Sequence, residues 1–252
     1  MQEMLNKIIL GDCLDVMKGI ADKSVDMILC DLPYGTTACK WDVVIPFDLL
    51  WEQYNRIIKD NGAIVLFGSQ PFTSQLISSN IKKFKYEWIW KKTKAGNFAL
   101  CKKNPMKYHE NISVFYNKFP TFNLWNLEKL TNPINSSRKN KGANLGHCID
   151  NGNYRQEYTG YHGSILEFSN GSGINYSFHP TQKPVALCEY LIKTYTNQNE
   201  IVLDNCIGSG TTAIAAIRTG RQFIGIEKDP DYHRLACERV EKEKLNLFNV
   251  GG

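Results

Sequence analysis

The sequence predicts an α/β fold built on a mostly parallel sheet, and three observations carry that prediction. Short apolar runs recur along the chain with helical patterns between them. The runs are near-continuously apolar rather than alternating, as strands buried on both faces are. Two of them end in an acid that opens a tight loop: Asp31-Leu32-Pro33-Tyr34-Gly35, and Asp204-Asn205-Cys206-Ile207-Gly208-Ser209-Gly210-Thr211-Thr212.

Taken in order, the first predicted strand is 25–30, written Val-Asp-Met-Ile-Leu-Cys. A helix over 47–58 follows, with Asn61-Gly62 as its stop. Strand 63–68, helix 71–79 and strands 87–90 and 112–116 come next. Between about 119 and 175 the chain becomes rich in Asn, Gly and Ser. Turn signals there include Asn132-Pro133, Lys141-Gly142 and Asn151-Gly152-Asn153. Only 163–168 is strand-like within that stretch, which therefore reads as an insertion on the binding edge of the sheet. Helix 184–194 starts on Pro184, whose missing N–H costs nothing at a first helical position. Strand 201–204, helix 211–218, strand 222–227 and helix 231–242 complete the alternation.

At 252 residues the chain suits one large domain, or a domain with a sizeable insertion. Hydrophobic residues at 42% and charged ones at 22% match a soluble globular protein. No apolar run nears the ~20 residues of a membrane span, and the start, Met1 to Lys7, lacks a signal-peptide core. Eight cysteines lie at 13, 30, 39, 101, 148, 188, 206 and 237 with no Cys-x-x-Cys spacing. A reduced, cytoplasmic protein without disulfides or bound metal, and with no membrane partner, is expected. The net charge of +5 is unevenly placed: residues 82–107 hold nine lysines against one acid, Glu87. Tyr86, Trp88, Trp90 and Tyr108 interleave with them, a combination that attracts a phosphate backbone or simply solvates a surface.

The glycine loop after 201–204 follows the strand–loop–helix recipe for holding a polar group, because glycines admit close backbone approach and the helix start offers free N–H donors. The spacing Gly208-x-Gly210-x-x-Ala213 is weak alone, but the next strand ends on Glu227, about where an acid meets ribose hydroxyls. Nicotinamide dinucleotide is one candidate ligand. Against it, the loop opens on Asp204, which disfavours a pyrophosphate and favours a cation such as the sulfonium of S-adenosylmethionine.

The Asp31–Tyr34 loop offers a different chemistry. The exocyclic amine of a nucleobase is a poor nucleophile because its lone pair is delocalised into the ring. Acceptors for both amine hydrogens let the nitrogen rehybridise, and the Asp31 carboxylate with the Leu32 carbonyl supplies them. Pro33 stiffens the loop, Tyr34 offers a ring to stack on an extruded base, and Gly35 lets the chain turn away.

These residues carry a resemblance. Asp31-Leu32-Pro33-Tyr34 is similar to the D/N/S-P-P-Y/F motif of amino-methyltransferases, and 204–212 to their D-P-F-x-G-S-G-T-T loop. His179-Pro180-Thr181-Gln182-Lys183-Pro184 matches the H-P-T-Q-K-P element of the permuted β class of DNA amino-methyltransferases, and Gly11-Asp12-Cys13 to Met17 resembles its G-D-C-x-x-x-M segment. The order of the motifs is that of the β class. The resemblance implies a circularly permuted, Rossmann-like S-adenosylmethionine-dependent methyltransferase fold with an inserted target-recognition region. It divides the chain into a catalytic half at 1–118, the insertion at 119–175 and a cofactor half at 176–252.

It further implies S-adenosylmethionine as cofactor and double-stranded DNA as partner, and it allows a homodimer and a cognate restriction endonuclease. By resemblance, Asp31, Leu32, Pro33 and Tyr34 hold the target amine and base. Asp204, Cys206, Gly208, Ser209, Gly210, Thr211 and Thr212 line the methionine part of the cofactor, Glu227 takes its ribose hydroxyls, and Asp12 and Cys13 lie near its adenine. Lys183 and Pro184 flank its carboxylate, Asp31 also counts among the residues that bind the cofactor, and residues 90–98 resemble the loop beside a flipped base. Two departures stand out: Leu32 replaces the first proline, and Asn205-Cys206 replaces Pro-Phe, with loss of an aromatic contact. His179 is expected to order a loop. An acid at position 31 points to adenine N6, where serine is typical of cytosine N4, and the absence of a Pro-Cys pair argues against cytosine carbon-5 chemistry. An oxidoreductase leaves Asp31–Tyr34 without a role, and a DNA-binding module explains only the lysines. An RNA or protein amino-methyltransferase typically has asparagine first and its cofactor loop N-terminal.

Overall fold

The computed structural model describes residues 2–36, 42–136, 154–170 and 182–250. Along the chain run β1 (Lys7–Leu10), α1 (Cys13–Met17), β2 (Val25–Cys30), α2 (Phe47–Ile57), β3 (Ile58–Gly68), α3 (Phe72–Ser79), β4 (Phe84–Lys92) and β5 (His109–Phe115). They are followed by β6 (Glu128–Ser136), β7 (Tyr154–Thr159), β8 (Ile165–Phe168), α4 (Val185–Tyr195), β9 (Ile201–Asp204), α5 (Thr211–Arg218), β10 (Gln222–Glu227) and α6 (Pro230–Val250).

Eight strands form one sheet in the order β1-β10-β9-β2-β3-β5-β4-β8. Every pairing is parallel except those that β5 makes with β3 and β4. The late strands β9 and β10 thus sit between β1 and β2, so the end of the chain completes a sheet that its beginning starts.

Alternation along β2 sends Met27 and Leu29 to one face, and Ile28 and Cys30 to the other. On the first face they pack with Val65, Phe67, Val202 and Phe223, under Leu187 and Leu191 of α4, Ala213 and Ala216 of α5 and Val240 of α6. On the second they pack with Ile64, Leu66, Leu203 and Ile224, under Met17 of α1, Leu50, Tyr54 and Ile57 of α2, and Phe72 and Leu76 of α3. Fully burying one such side chain is worth roughly 1.5–3 kcal/mol, so these two clusters, more than helix propensity, hold the three layers together.

The strands at 25–30, 201–204 and 222–227 and the helix at 211–218 have the expected bounds. Other elements differ. Asn61-Gly62 does not stop a helix: α2 ends at Ile57, and Ile58 already begins β3. The register against β2 jumps from Val25↔Ile58 to Met27↔Ala63, so residues 59–62 bulge from the ladder. Asp26 pins the bulge by accepting from Lys59 Nζ at 2.6 Å and from the Ile201 N–H at 2.9 Å. Gly62 is required there, because a Cβ would stand 2.8 Å from the Asp26 carbonyl oxygen. Pro184 precedes the first helical residue of α4, with an extended ψ of 131°. β4 and β5 are longer than their apolar cores, and β1 and α1 are additional.

Residues Leu124–Gly163 form a second compact unit. Within it β6 and β7 pair as an antiparallel ribbon, and Pro133 lies in the unpaired stretch between Lys129 and Ile134. The strand-like stretch 163–168 contains β8, which belongs to the main sheet beside β4. Among the described residues no helix is long and apolar enough to cross a membrane.

Candidate active site

The connections fix where a ligand sits. β9 leads through α5 on one face to β10, whereas β2 leads through α2 on the opposite face to β3. The chain therefore departs in opposite directions from the carboxyl ends of two paired neighbours, Met27↔Val202 and Ile28↔Leu203. Such a switch point leaves a crevice. Asp31 follows β2 and Asp204 ends β9, so the two sequence loops meet at that point. A cavity of about 860 Å³ lies there.

Most of the expected residues line this cavity. Asp31, Leu32, Pro33 and Tyr34 come from the first loop, and Asp204, Cys206, Gly208, Ser209, Thr211 and Thr212 from the second. Asp12 and Cys13 reach it after β1, Glu227 at the end of β10, and Lys183 before α4. Pro184 and Gly210 are not among the lining residues. Gly210 instead caps α5 with φ of 85°, where a Cβ would meet Ala236 of α6 at 3.3 Å. Its role is to let the loop turn and the two helices approach. His179, Pro180 and Thr181 lie outside the described residues.

On the side of the glycine loop, the Glu227 carboxylate accepts from the Gly208 N–H at 2.8 Å and from the Asp229 N–H at 2.8 Å. Both of its oxygens are thereby aimed, with lone pairs left over. The Asp12 carboxylate caps α1 through the Leu14 N–H at 3.0 Å and pairs with Lys228 at 3.0 Å. Asp204 is buried, and burial pushes its carboxyl up to about 6 against the hydrogen bonds from Thr212, the Cys206 N–H and Cys30. The hydroxyl of Thr211, at the start of α5, is buried without a hydrogen-bond partner. The Cys13 thiol is held well above its ordinary range by its hydrogen bond with Cys206 and by burial. It presents a neutral, soft surface rather than a nucleophile.

On the side of the Asp31 loop, Tyr34 Oη donates to Asp31 Oδ1 at 2.6 Å, and Lys183 Nζ donates to Asp31 Oδ2. Lys183 is almost wholly buried and also pairs with Glu110 Oε2 at 3.3 Å, while Lys92 pairs with Glu110 Oε1. Burial alone would lower the Lys183 ammonium, but Asp31 and Glu110 raise it above its ordinary value. Glu110 is likewise held low by Lys183 and Lys92 in spite of burial. The Tyr34 ring rests on Phe72 with centroids 4.9 Å apart. Leu32, in the place of a proline, points its side chain into the second-face core. Asp42 fixes the far end of the loop by accepting from the Gly35 N–H at 2.8 Å and the Thr36 N–H at 2.9 Å.

Glu110 and Asp42 are the residues that sequence reasoning missed. Each is one acid beside an apolar stretch with no motif around it; the partners of Glu110 are distant in sequence, while those of Asp42 lie in the same connection between β2 and α2. Lys183, expected beside a cofactor carboxylate, lines the cavity and pairs with Asp31 and Glu110. The resulting arrangement sets an oriented carboxylate acceptor, Asp31, in the same cavity as a second buried carboxylate, Asp204. It suits a neutral amine at the first and a cationic group at the second.

A family model described as DNA methylase (N6_N4_Mtase) matches residues 25–238 of this chain. The Type II methyltransferase M1.MboII of Moraxella bovis is 28% identical over 264 residues, covering 96% of this chain and 99% of that one. The crystal structure of the M1.HpyAVI–SAM complex is similar at 25% identity and a TM-score of 0.63, covering 93% of this chain and 98% of that one. PvuII DNA methyltransferase, cytosine-N4-specific, shares the fold with a TM-score of 0.69 at 15% identity, covering 96% of this chain and 92% of that one.

Proposed function

The chain belongs to the DNA methylase family, and from that premise we propose that it methylates the N6 amine of adenine at a fixed sequence in double-stranded DNA. The fold is the permuted, Rossmann-like methyltransferase fold that the sequence predicts, and the cofactor is S-adenosylmethionine. One observation carries the adenine reading: the first position of the amine clamp is a carboxylate, Asp31, aimed into the cavity by Tyr34 and Lys183. Cytosine N4 is the second reading, since the same clamp serves that amine and the fold is shared with a cytosine-N4-specific enzyme.

The cavity fits the cofactor. A buried, negatively charged Asp204 suits its cationic methionine end, and the unpartnered Thr211 hydroxyl there awaits a polar group. Asp204, Cys206, Gly208, Ser209, Thr211 and Thr212 would hold that end, Glu227 the ribose hydroxyls, and Asp12 and Cys13 the adenine ring. When bound, S-adenosylmethionine supplies an electrophilic methyl group on its sulfonium.

The chain's own residues do the rest. Asp31 accepts one hydrogen of the target amine on a lone pair that Tyr34 and Lys183 leave free, and the Leu32 carbonyl accepts the other. Together they draw the amine lone pair out of the ring and fix its direction. Tyr34 and Lys183 hold the carboxylate in place beforehand, so no reorganisation is needed when charge develops. Proximity and this preorganisation supply the rate, without a covalent enzyme intermediate. Flipping the base out of the duplex costs a few kcal/mol, met by phosphate contacts of the exposed Lys94, Lys102 and Lys103 between β4 and β5. Lys92 is taken by Glu110, and Lys82, Lys83 and Lys85 stand at the end of β4 away from the cavity. Segment 119–175 reads the sequence in this account. A cognate restriction endonuclease and a homodimer fit the same reading as partners, in the cytoplasm where the DNA lies.

The test is transfer of labelled methyl to unmethylated genomic DNA, followed by nucleoside analysis. A 6-methyladenine peak is expected. A 4-methylcytosine peak would overturn the base assignment, and no label in DNA despite cofactor binding would overturn the substrate.

A further inference from the structure

Extruding a base leaves a gap in the duplex stack, and proteins that deform duplexes fill such gaps with apolar side chains. The loop between β4 and β5 carries a side chain placed for this. Phe98 stands on a single 3-10 turn, Phe98–Leu100, and is 74% exposed, with Leu100 beside it at 47%. Lys94, Lys102 and Lys103 of the same loop are exposed as well. An apolar tip on a loop that carries exposed lysines matches a polyanion with an apolar interior, which is what a base stack between phosphate backbones is.

Hydrogen bonds within the loop and to Asn170 fix the backbone that carries Phe98. The Gly96 N–H donates to the Lys107 carbonyl at 3.0 Å, and the Asn97 side chain bridges the loop by accepting from the Lys107 N–H at 2.6 Å and donating to the Pro105 carbonyl at 3.0 Å. The Leu100 carbonyl accepts from the Lys103 and Asn104 N–H groups at 2.8 and 2.9 Å. At the loop's start Asn170 clasps Lys94, donating to its carbonyl at 2.8 Å. Gly96 and Asn170 themselves line the cavity that holds Asp31, so the tip stands at its mouth.

We infer that Phe98 is the wedge that enters the DNA stack and takes the place of the flipped target base. This rests on the reading of the chain as a base-flipping DNA methyltransferase, and the experiment separates the two. The methylated site is first mapped with the unaltered chain and labelled S-adenosylmethionine. Absence of transfer to duplex DNA overturns that reading and the wedge with it. Two duplexes carrying the mapped site are then compared, one with the target base paired and one with it mismatched, so that it is already loosened.

Phe98→Ala is expected to lose kcat/KM by about ten- to a hundredfold on the paired duplex, the order of one aromatic–base stack. On the mismatched duplex it is expected to stay within about twofold of the unaltered chain, and Phe98→Leu should recover most of the loss. Affinity for S-adenosylmethionine is expected to be unchanged. Near-normal kcat/KM on the paired duplex would overturn the wedge, and so would an equal loss on both duplexes, which would make Phe98 a general contact.

Discussion

Tyr34 Oη donates to Asp31 Oδ1 at 2.6 Å, so the fourth residue of the loop holds the first in place. The tyrosine ring, seated on Phe72, is the rigid base from which that hydroxyl reaches. A hydrogen bond to a charged group is worth roughly 1.5–3 kcal/mol. Tyr34→Phe keeps the ring and loses only the bond. It is expected to lower kcat about ten- to a hundredfold while leaving the Kd for S-adenosylmethionine unchanged, as read by single-turnover transfer and titration. Equal kcat in the two proteins would limit Tyr34 to a packing role.

Asp204 gives a pH dependence whose sign is set by burial. Its carboxyl, ordinarily 3.8, is raised to about 6, with Thr212, the Cys206 N–H and Cys30 opposing the shift and Asp31 adding to it. Between those values the folded chain keeps a proton that the unfolded chain has lost, so this group's contribution to stability falls as pH rises from about 4 to 6. A cation beside it needs the ionised form. Affinity for S-adenosylmethionine is therefore expected to rise as pH goes from 5 to 7, approaching tenfold per unit below 6, and then to level off. Asp204→Asn should flatten this profile and weaken binding, yet leave the ligand-free protein at least as stable at pH 7. An unchanged profile in Asp204→Asn would place the titrating group elsewhere.

Glu110 pairs with buried Lys183 and partly buried Lys92. Removing its charge leaves Lys183 with Asp31 alone and takes from Lys92 the carboxylate it pairs with. Breaking a buried pair by neutralising one partner typically costs ~3–5 kcal/mol. Glu110→Gln is expected near the lower end, because the amide still accepts one hydrogen bond. Denaturant unfolding at pH 7 reads the loss, and a change below about 1 kcal/mol would mean that water screens the network.

Gly62→Ala tests the bulge. Its Cβ would press on the Asp26 carbonyl oxygen at 2.8 Å and on the Ile58 side chain. Overpacking of this kind costs ~1–3 kcal/mol. A lowered midpoint in denaturant with normal transfer per folded molecule is expected, and no loss of stability would show that β3 shifts freely there.

What the sequence made legible follows the physics of each element. β2, β9, β10 and α5 are buried on both sides or all round, so their near-continuous apolar runs mark their ends. β1 is only four residues at the sheet's edge, with exposed Lys7 and Leu10 at its ends, and shows no such run. β6 and β7 pair as a two-stranded ribbon rich in polar residues, and among the described residues no buried apolar cluster falls on them to impose alternation. Asn61-Gly62 misleads because glycine serves close approach as readily as helix termination. In the site, Asp31 and Asp204 are legible because each closes a buried strand and opens a loop. Of the partners that hold the clamp, Glu110 acts across the fold and distance in the chain hides it, whereas Asp42 bonds Gly35 and Thr36 within the same connection and is hidden only because no motif marks it.

The most direct measurement is single-turnover methyl transfer by Asp31→Ala, paired with its Kd for S-adenosylmethionine. If the Asp31 carboxylate is the acceptor that activates the target amine, transfer falls by at least ~10²–10³, the cost of removing one preorganised hydrogen-bonding group. Cofactor binding stays within a few-fold, because Asp204 and Glu227 are untouched. Near-normal transfer with intact binding would contradict the account and move the chemistry away from the Asp31–Tyr34 loop.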